Sequence, residues 1–461
     1  MSGSSEADPT AIEAGPTAAA IPPTAAAVQP GVAGGEPSAA DEPVATIGVL
    51  AETGPGERRV ALVPDGARRL VKSGLAVIVE EGAGAGAWYP DDAYRDAGAE
   101  VAGRDEVLRR ARILVAVSRP PAEDLRRLGA GQAVVGLLDP ASDPDLFTDL
   151  AGRRVSALSL ERLPRTLSRA QSMDVLTSQA SVAGYKAVLV AAVAFGRYFP
   201  LLITAAGTSR PARVLVLGAG VAGLSAIGTA RRLGAVVTGY DVRPETRGEI
   251  ESLGAKFLEL KSVGPAGGTG GYARALTAEE QRAQQEELES LLSSFDVVIT
   301  TAAVPGRRPP QLVSTAAVAR MRPGTVVVDM ASGPLGGNVE GSLPGSTLVT
   351  ANGVTLIGAS DLPATVPTAA SDAFSQNISA VIALLVKDGR LAVDLEDEVT
   401  AAVAVTHAGR LLQPGVPPPA GGPPPAAGAG APAAGPGEAG PTEAATGAAV
   451  RSEATSYQGA R

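Results

Sequence analysis

Residues 213–243, RVLVLGAGVAGLSAIGTARRLGAVVTGYDVR, leave the chain few ways to fold. A β-branched apolar run ends at Gly218 and gives way to a stretch with helical periodicity; a second such run closes just before Asp241. Two strands joined by one helix make a parallel unit, because parallel neighbours need a crossover of about helical length. Gly218, Gly220 and Gly223 fall at the first junction in the spacing G-x-G-x-x-G. The first glycine permits the tight turn, the second lets a pyrophosphate approach the backbone, and the third lets helix and strand pack closely. The helix N-terminus, at Val221 and Ala222, stabilises the phosphates. Asp241 stands 18 residues beyond Gly223, where its carboxylate can accept both ribose hydroxyls and repel a 2′-phosphate. The segment therefore reads as a site for NAD(H) rather than NADP(H), with Val242 and Arg243 following the acid.

The same alternation extends in both directions. Candidate strands at 46–50, 76–80, 113–117, 133–138 and 155–160 form one set; 213–218, 235–240, 296–302, 325–330 and 347–351 form a second. Helical stretches such as 64–73, 122–129, 220–233 and 277–292 fall between them. Near-continuous apolar strands separated by helices indicate parallel sheets covered on both faces. The fold class is α/β: two Rossmann-like domains with parallel sheets, flanked by disordered tails. The expected boundaries are a tail over 1–43, an N-terminal α/β domain over 44–176 completed by 366–410, an NAD(H)-binding domain over 177–365, and a second tail over 411–461. The tails are rich in Ala, Pro and Gly and bury too little apolar surface to offset their ordering entropy.

None of the 461 residues is Cys, which rules out a disulfide framework and leaves no metal site expected. The net charge of −9 is uneven: residues 1–43 carry six acids and no base, so the body is nearly neutral and no nucleic-acid partner is expected. The first basic residue is Arg58, so no secretory signal is read. The longest apolar run, 187–206, is broken by Arg197 and Pro200 and is too short on either side to span a bilayer. The chain reads as soluble and cytoplasmic.

A second window is RTLSRAQSMDVLTSQ, residues 165–179. It gathers Arg165, Arg169, Gln171, Asp174 and Thr177 without a single Cys, His or Lys. Gln171, Asp174 and Thr177 recur every third residue, so a helical turn puts them on one side. An amide there can fix a carboxamide by donating and accepting at once. The one histidine, His407, lies near the end of the folded region and reads as a packing residue. Dehydrogenases that reduce a carbonyl commonly move the accompanying proton with His or Lys, and this chain is poorly equipped for that. A third window, KSVGPAGGTGGYARAL (261–276), sets five glycines around Tyr272 and reads as a lid over the nucleotide.

At RAQSMD (169–174) the chain resembles the NAD(H)-binding domain I of proton-translocating nicotinamide nucleotide transhydrogenase, in its separately encoded alpha-1 form. Similar segments are ERRVALVPDG (57–66), GAGVAGL (218–224), LGAVVTGYDVR (233–243), GGYA (270–273), ITTAAVPGR (299–307) and LEDE (395–398). The resemblance implies hydride transfer from NADH on this subunit to NADP+ on a partner subunit, with proton translocation in membrane subunits. It implies that Gln171 reaches both nicotinamide rings with Asp174 beside it, and that the loop arginine is Arg165 or Arg169, of which Arg165 matches better. Ser172, Met173 and Thr177 belong to the same loop; Gly271 and Tyr272 fall on the mobile loop, and Ala303 in the ITTAAVPGR segment. The implied partners are an NADP(H)-binding beta subunit, a small membrane alpha-2 subunit and a second copy of the chain. The related alanine dehydrogenases are the alternative, but the positions of their Lys and His read Ser118 and Asp139 here. A non-catalytic NAD-sensing module is the third reading.

Overall fold

The computed structural model describes residues 45–261, 278–303 and 308–412. Two parallel-rich sheets carry the fold. The first has eight strands, in spatial order Arg410–Leu411, Ala404–His407, Ser156–Ser159, Ala133–Leu137, Ile113–Ser118, Thr46–Val49, Ala76–Glu80 and Glu100–Ala102. The second has seven: Lys256–Phe257, Val236–Tyr240, Arg213–Leu217, Val297–Thr300, Val326–Asp329, Thr355–Gly358 and Thr347–Val349. Within each, the six parallel strands follow the doubly wound order 3-2-1-4-5-6, and antiparallel strands extend one edge. Buried Val, Ile and Leu line both faces of the central strands, as a sheet covered on both sides requires.

The expected strands are present, each within two residues of its ends. Three short parallel strands, Glu100–Ala102, Lys256–Phe257 and Thr355–Gly358, add to them. The helix expected over 122–129 stops at Leu125, where the chain turns through Gly129 and Gly131 into the next strand. Other helix ends follow local chemistry. Pro64 opens Pro64–Lys72, with Asp65 in the first turn and Arg69 and Lys72 in the last. Asp143 caps Pro144–Gly152 through the N–H of Leu146.

Two long helices join the sheets. The chain leaves the first sheet through Val175–Ala194 and returns through Pro367–Leu385. The helical part of the long apolar run thus begins upstream of 187, and its 20 residues meet the length and composition of a membrane span. Its buried side chains serve the interior: Val175 packs in the core of the first sheet, and Ala187, Val188 and Ala191 in that of the second. Gly184 is required here, because a Cβ would stand 2.0 Å from the carbonyl oxygen of Ala222. This close approach, with a 2.7 Å hydrogen bond from Ser225 Oγ to the carbonyl of Ser181, locks the connector against the helix Val221–Arg232. His407 closes the strand Ala404–His407, with Nδ1 2.9 Å from Ser156 Oγ.

Candidate functional site

The glycine-rich turn follows the strand Arg213–Leu217 at the switch point of the second sheet, where doubly wound folds bind ligands. Gly218 has φ +103°, a conformation that side chains rarely adopt. A Cβ on Gly223 would lie 1.9 Å from the carbonyl oxygen of Gly218, so the helix Val221–Arg232 starts pressed on the turn. Gly220 differs: a Cβ there would meet nothing within 4 Å. The fold does not need this glycine, and the open space beside it suits a group that must approach the backbone. Val221 and Ala222 begin the helix, whose free N–H groups favour an anion. A pyrophosphate therefore fits this cradle.

Asp241 caps the next strand as expected, but its surroundings add a component. Its Oδ2 accepts from the N–H of Ala219 at 2.7 Å and from Arg243 Nη2 at 3.1 Å. Its Oδ1 accepts from the N–H and Nε of Arg243 at 2.9 and 3.0 Å. Burial pushes the Asp241 carboxyl up, but the Arg243 guanidinium and these N–H groups hold it below its usual range. A carboxylate has about four acceptor sites, so a ribose diol must displace the guanidinium of Arg243. The half-exposed Arg243 also offsets the charge on which the exclusion of a 2′-phosphate was argued. Val242 is exposed beside it. Beyond the strand Val297–Thr300, Ala302 is pinned by Asn338: its N–H donates to Asn338 Oδ1 at 3.1 Å, and its carbonyl accepts from Asn338 Nδ2 at 2.7 Å. Ala303 follows, exposed, at the end of the described part of that loop.

The polar window forms a second unit. Ser168–Met173 is a 3-10 helix, and Asp174 caps the connector Val175–Ala194. The threefold spacing is thus realised partly in a 3-10 turn, where residues i and i+3 eclipse. Asp174 is buried and accepts from the N–H of Thr177 at 2.9 Å, from Thr177 Oγ1 at 2.6 Å and from Arg165 Nε at 3.0 Å. Arg165 Nη2 donates to Thr177 Oγ1 at 2.8 Å and closes the triangle. Arg169 turns away, to Asp397 Oδ2 at 2.6 Å. Asp397, from the LEDE segment, caps the helix Glu398–Val403. Of the two candidate arginines, Arg165 is the one joined to the loop carboxylate.

Gln171 and Ser172 are exposed, and no described residue holds the Gln171 amide. Met173 does not share this exposure. Its side chain packs in the first core. Gly271 and Tyr272 lie outside the described residues.

Two residues that sequence reasoning passed over hold the loop in place. Asn377 Nδ2 donates to the carbonyl of Ser172 at 2.8 Å, and Asn377 Oδ1 accepts from Ser178 Oγ at 2.7 Å. Gln179 Nε2 donates to the carbonyl of Ala370 at 3.0 Å. Both tie the two connectors together across about two hundred residues of chain, and nothing local in the sequence marks them. The arrangement presents one free amide on a rigid mount and holds the neighbouring carboxylate in a closed ionic cluster. Such a site can orient a reactant and has little with which to move a proton.

Two family models match the chain: the N-terminal domain of alanine dehydrogenase/PNT over residues 48–183 and the C-terminal domain of alanine dehydrogenase/PNT over 187–414. The first of the separately encoded pieces of NAD(P) transhydrogenase subunit alpha in Rhodospirillum rubrum is 40% identical, over 80% of this chain and 98% of its own. The crystal structure of a transhydrogenase from Sinorhizobium meliloti superimposes with a TM-score of 0.72 at 37% identity, covering 79% of this chain and 99% of the other. An alanine dehydrogenase from Mycolicibacterium smegmatis is more distant, at 28% identity over 80% of this chain and 95% of its own.

Proposed function

The chain belongs to the alanine dehydrogenase/PNT family, and we propose that within it this protein is the NAD(H)-binding alpha subunit of a proton-translocating NAD(P) transhydrogenase. The observation that carries this reading is the loop 165–177: an exposed Gln171 amide beside a closed Arg165–Asp174–Thr177 cluster, with no His or Lys in the loop and its one carboxylate held in that cluster.

Gly218, Gly220, Val221, Ala222 and Gly223 would hold the pyrophosphate of NAD(H), and Asp241 the adenosine ribose once Arg243 swings aside. When bound, NADH supplies the hydride, which NADP+ on a partner beta subunit accepts. Electrons balance as NAD+ and NADPH, and no solvent proton enters. The chain's task is therefore alignment. Gln171 orients the carboxamides, and its mount on the Asp174 cap and Asn377 fixes where it stands. Positioning of this kind accounts for about 7–11 kcal/mol of barrier in good intramolecular models.

Coupling to proton movement resides in membrane subunits, including a small alpha-2 subunit, which would keep this cytoplasmic chain peripheral to the membrane. Tyr198, Leu201 and Ile203, exposed at and beside the hairpin 202–209, support a homodimer, since a two-stranded hairpin is marginal in water by itself. The alanine dehydrogenase reading is disfavoured at the carboxyl edge of the first sheet. There Ser118 and Asp139 stand where proton-transferring groups are needed, and their N–H groups donate to Glu52 and Glu161.

The test mixes the purified chain and NADH with a recombinant NADP(H)-binding beta domain and an NADP+ analogue. Direct transfer is expected, without incorporation of solvent hydrogen. NAD+-dependent oxidation of alanine would instead favour the dehydrogenase, and nucleotide binding without either reaction would favour the sensor.

A further inference from the structure

The loop that follows the first strand carries a buried guanidinium that the mechanism above does not use. Arg59 Nε and Nη2 donate to Glu57 Oε1 and Oε2 at 2.8 and 2.5 Å, a bidentate pair buried on both sides. Its Nη1 donates to Gln179 Oε1 at 2.9 Å, on the connector whose first turn holds Asp174 and Thr177. Its Nη2 also donates to Asp361, which lies beyond the strand Thr355–Gly358 of the second sheet. The same loop is sewn to the returning connector, because the N–H groups of Val60 and Val63 donate to Ser371 Oγ and Ser375 Oγ at 3.0 and 3.2 Å. One side chain thus joins the leading loop of the first sheet, the last loop of the second, and the helix that carries the aligning loop.

Resting on the transhydrogenase reading, we propose that Arg59, through Asp361, is a positioning residue that sets the placement of the two sheets and so the distance between Gln171 and the nucleotide. The turn and acid that hold the nucleotide belong to the second sheet, whereas Gln171 stands on a loop anchored to the first core and both connectors. A contact that fixes the second sheet against that loop acts on reacting geometry and leaves ground-state affinity alone. The chemistry of the cluster favours this role over a purely stabilising one. Glu57 alone satisfies the charge of the buried guanidinium, so the half-exposed Asp361 is surplus to its burial.

Asp361→Asn tests this, since it weakens the link across the sheets and leaves Arg59 paired. Hydride transfer to the beta domain should fall about tenfold, with NADH affinity within twofold of wild type and the melting temperature nearly unchanged. Asp361→Glu should recover most of the rate. A second readout is independent of turnover. The chain has no Cys, so Glu81→Cys, just past the strand Ala76–Glu80 of the first sheet, and Glu251→Cys, on the helix Thr246–Ser252 beside the second, both exposed, place one spin label by each sheet. The inter-spin distance distribution should be narrow in the otherwise native chain and broadened by Asp361→Asn. An unchanged distribution, or a loss of transfer matched by an equal loss of NADH affinity, overturns the proposal. Absence of transfer in the wild-type complex sinks the transhydrogenase reading, while the distance measurement still decides the role of the link.

Discussion

The two sheets share one strand order and differ at the point where that order reverses. In the second, the crevice beyond Arg213–Leu217 is bordered by glycine backbone, and the position of Gly220 faces open space. In the first, the chain's own carboxylates occupy the equivalent edge. Glu52 accepts from the N–H groups of Val117 and Ser118 at 2.6 and 3.2 Å, Glu80 from Ala51 at 2.7 Å, and Glu161 from Leu138 and Asp139 at 3.3 and 2.5 Å. The N–H groups that a phosphate would use are already taken by the chain's own carboxyl groups. A cavity of about 150 Å³ lies there, lined by Leu50, Glu52, Arg104, Ser118 and Arg119 among others. A topology offers a crevice, and the side chains at its mouth decide whether the crevice is a site.

This contrast can be broken most sharply at Gly220. Because a Cβ there meets nothing within 4 Å, Gly220→Val should fold normally and nearly keep its melting temperature. It should also lose about 10²-fold in NADH affinity, roughly 2.7 kcal/mol, since it fills the approach of the pyrophosphate. Isothermal titration with a parallel thermal melt checks both halves, and normal binding would mean that the phosphates sit elsewhere.

The first sheet provides the complementary test. Burial pushes the Glu52 carboxyl up to about 7, against the opposing pull of the Val117 and Ser118 N–H groups. A folded pKa above the unfolded 4.5 makes the native state bind the proton more tightly. The associated stability is complete below about 4.5 and is lost as pH rises to about 7. Each tenfold difference in proton affinity is worth about 1.4 kcal/mol, so, discounted for the partial exposure of the side chain, the swing is about 2 kcal/mol. Glu52→Gln should flatten stability between pH 5 and 8 in chemical denaturation and leave NADH affinity unchanged. A pH dependence that persists would place the titrating group elsewhere.

The smallest expected effect concerns selectivity. Removing the guanidinium that now masks Asp241 should expose a 2′-phosphate to the bare carboxylate. Arg243→Ala should therefore increase the preference for NADH over NADPH about tenfold, about 1.4 kcal/mol, read by paired titrations. A reduced preference would show that Arg243 excludes NADPH by its bulk or holds NADH directly.

The legible and illegible parts of this molecule divide by range. The turn at 218–223 was readable because its geometry is local: φ at Gly218 and the contact between Gly223 and Gly218 involve residues five apart. Long central strands were readable because their apolar runs are unbroken. Glu100–Ala102 and Lys256–Phe257 were not, since three- and two-residue edge strands carry too little pattern. The polar window announced itself by composition, but its mount did not. Asn377 acts on Ser172, Asn338 on Ala302 and Arg59 on Gln179 and Asp361, each through a contact that only the folded chain creates. Arg165 and Arg169 show the same limit: the resemblance favoured Arg165, but the partners that distinguish the two, Asp174 for one and Asp397 for the other, are visible only in the folded chain.

The central claim is that the second sheet binds and the loop on its mount aligns. Gln171→Asn tests it most directly, because it keeps the amide and withdraws it by one methylene, about 1.5 Å. Equilibrium titration should give an NADH affinity near wild type, since the contacts that hold the nucleotide lie on the second sheet. Stopped-flow transfer to an NADP+ analogue on the beta domain should fall at least ~10²-fold. Transfer near the wild-type rate, or a collapse of NADH binding, would contradict the account: the first makes the loop a structural cap, and the second makes Gln171 a ground-state ligand.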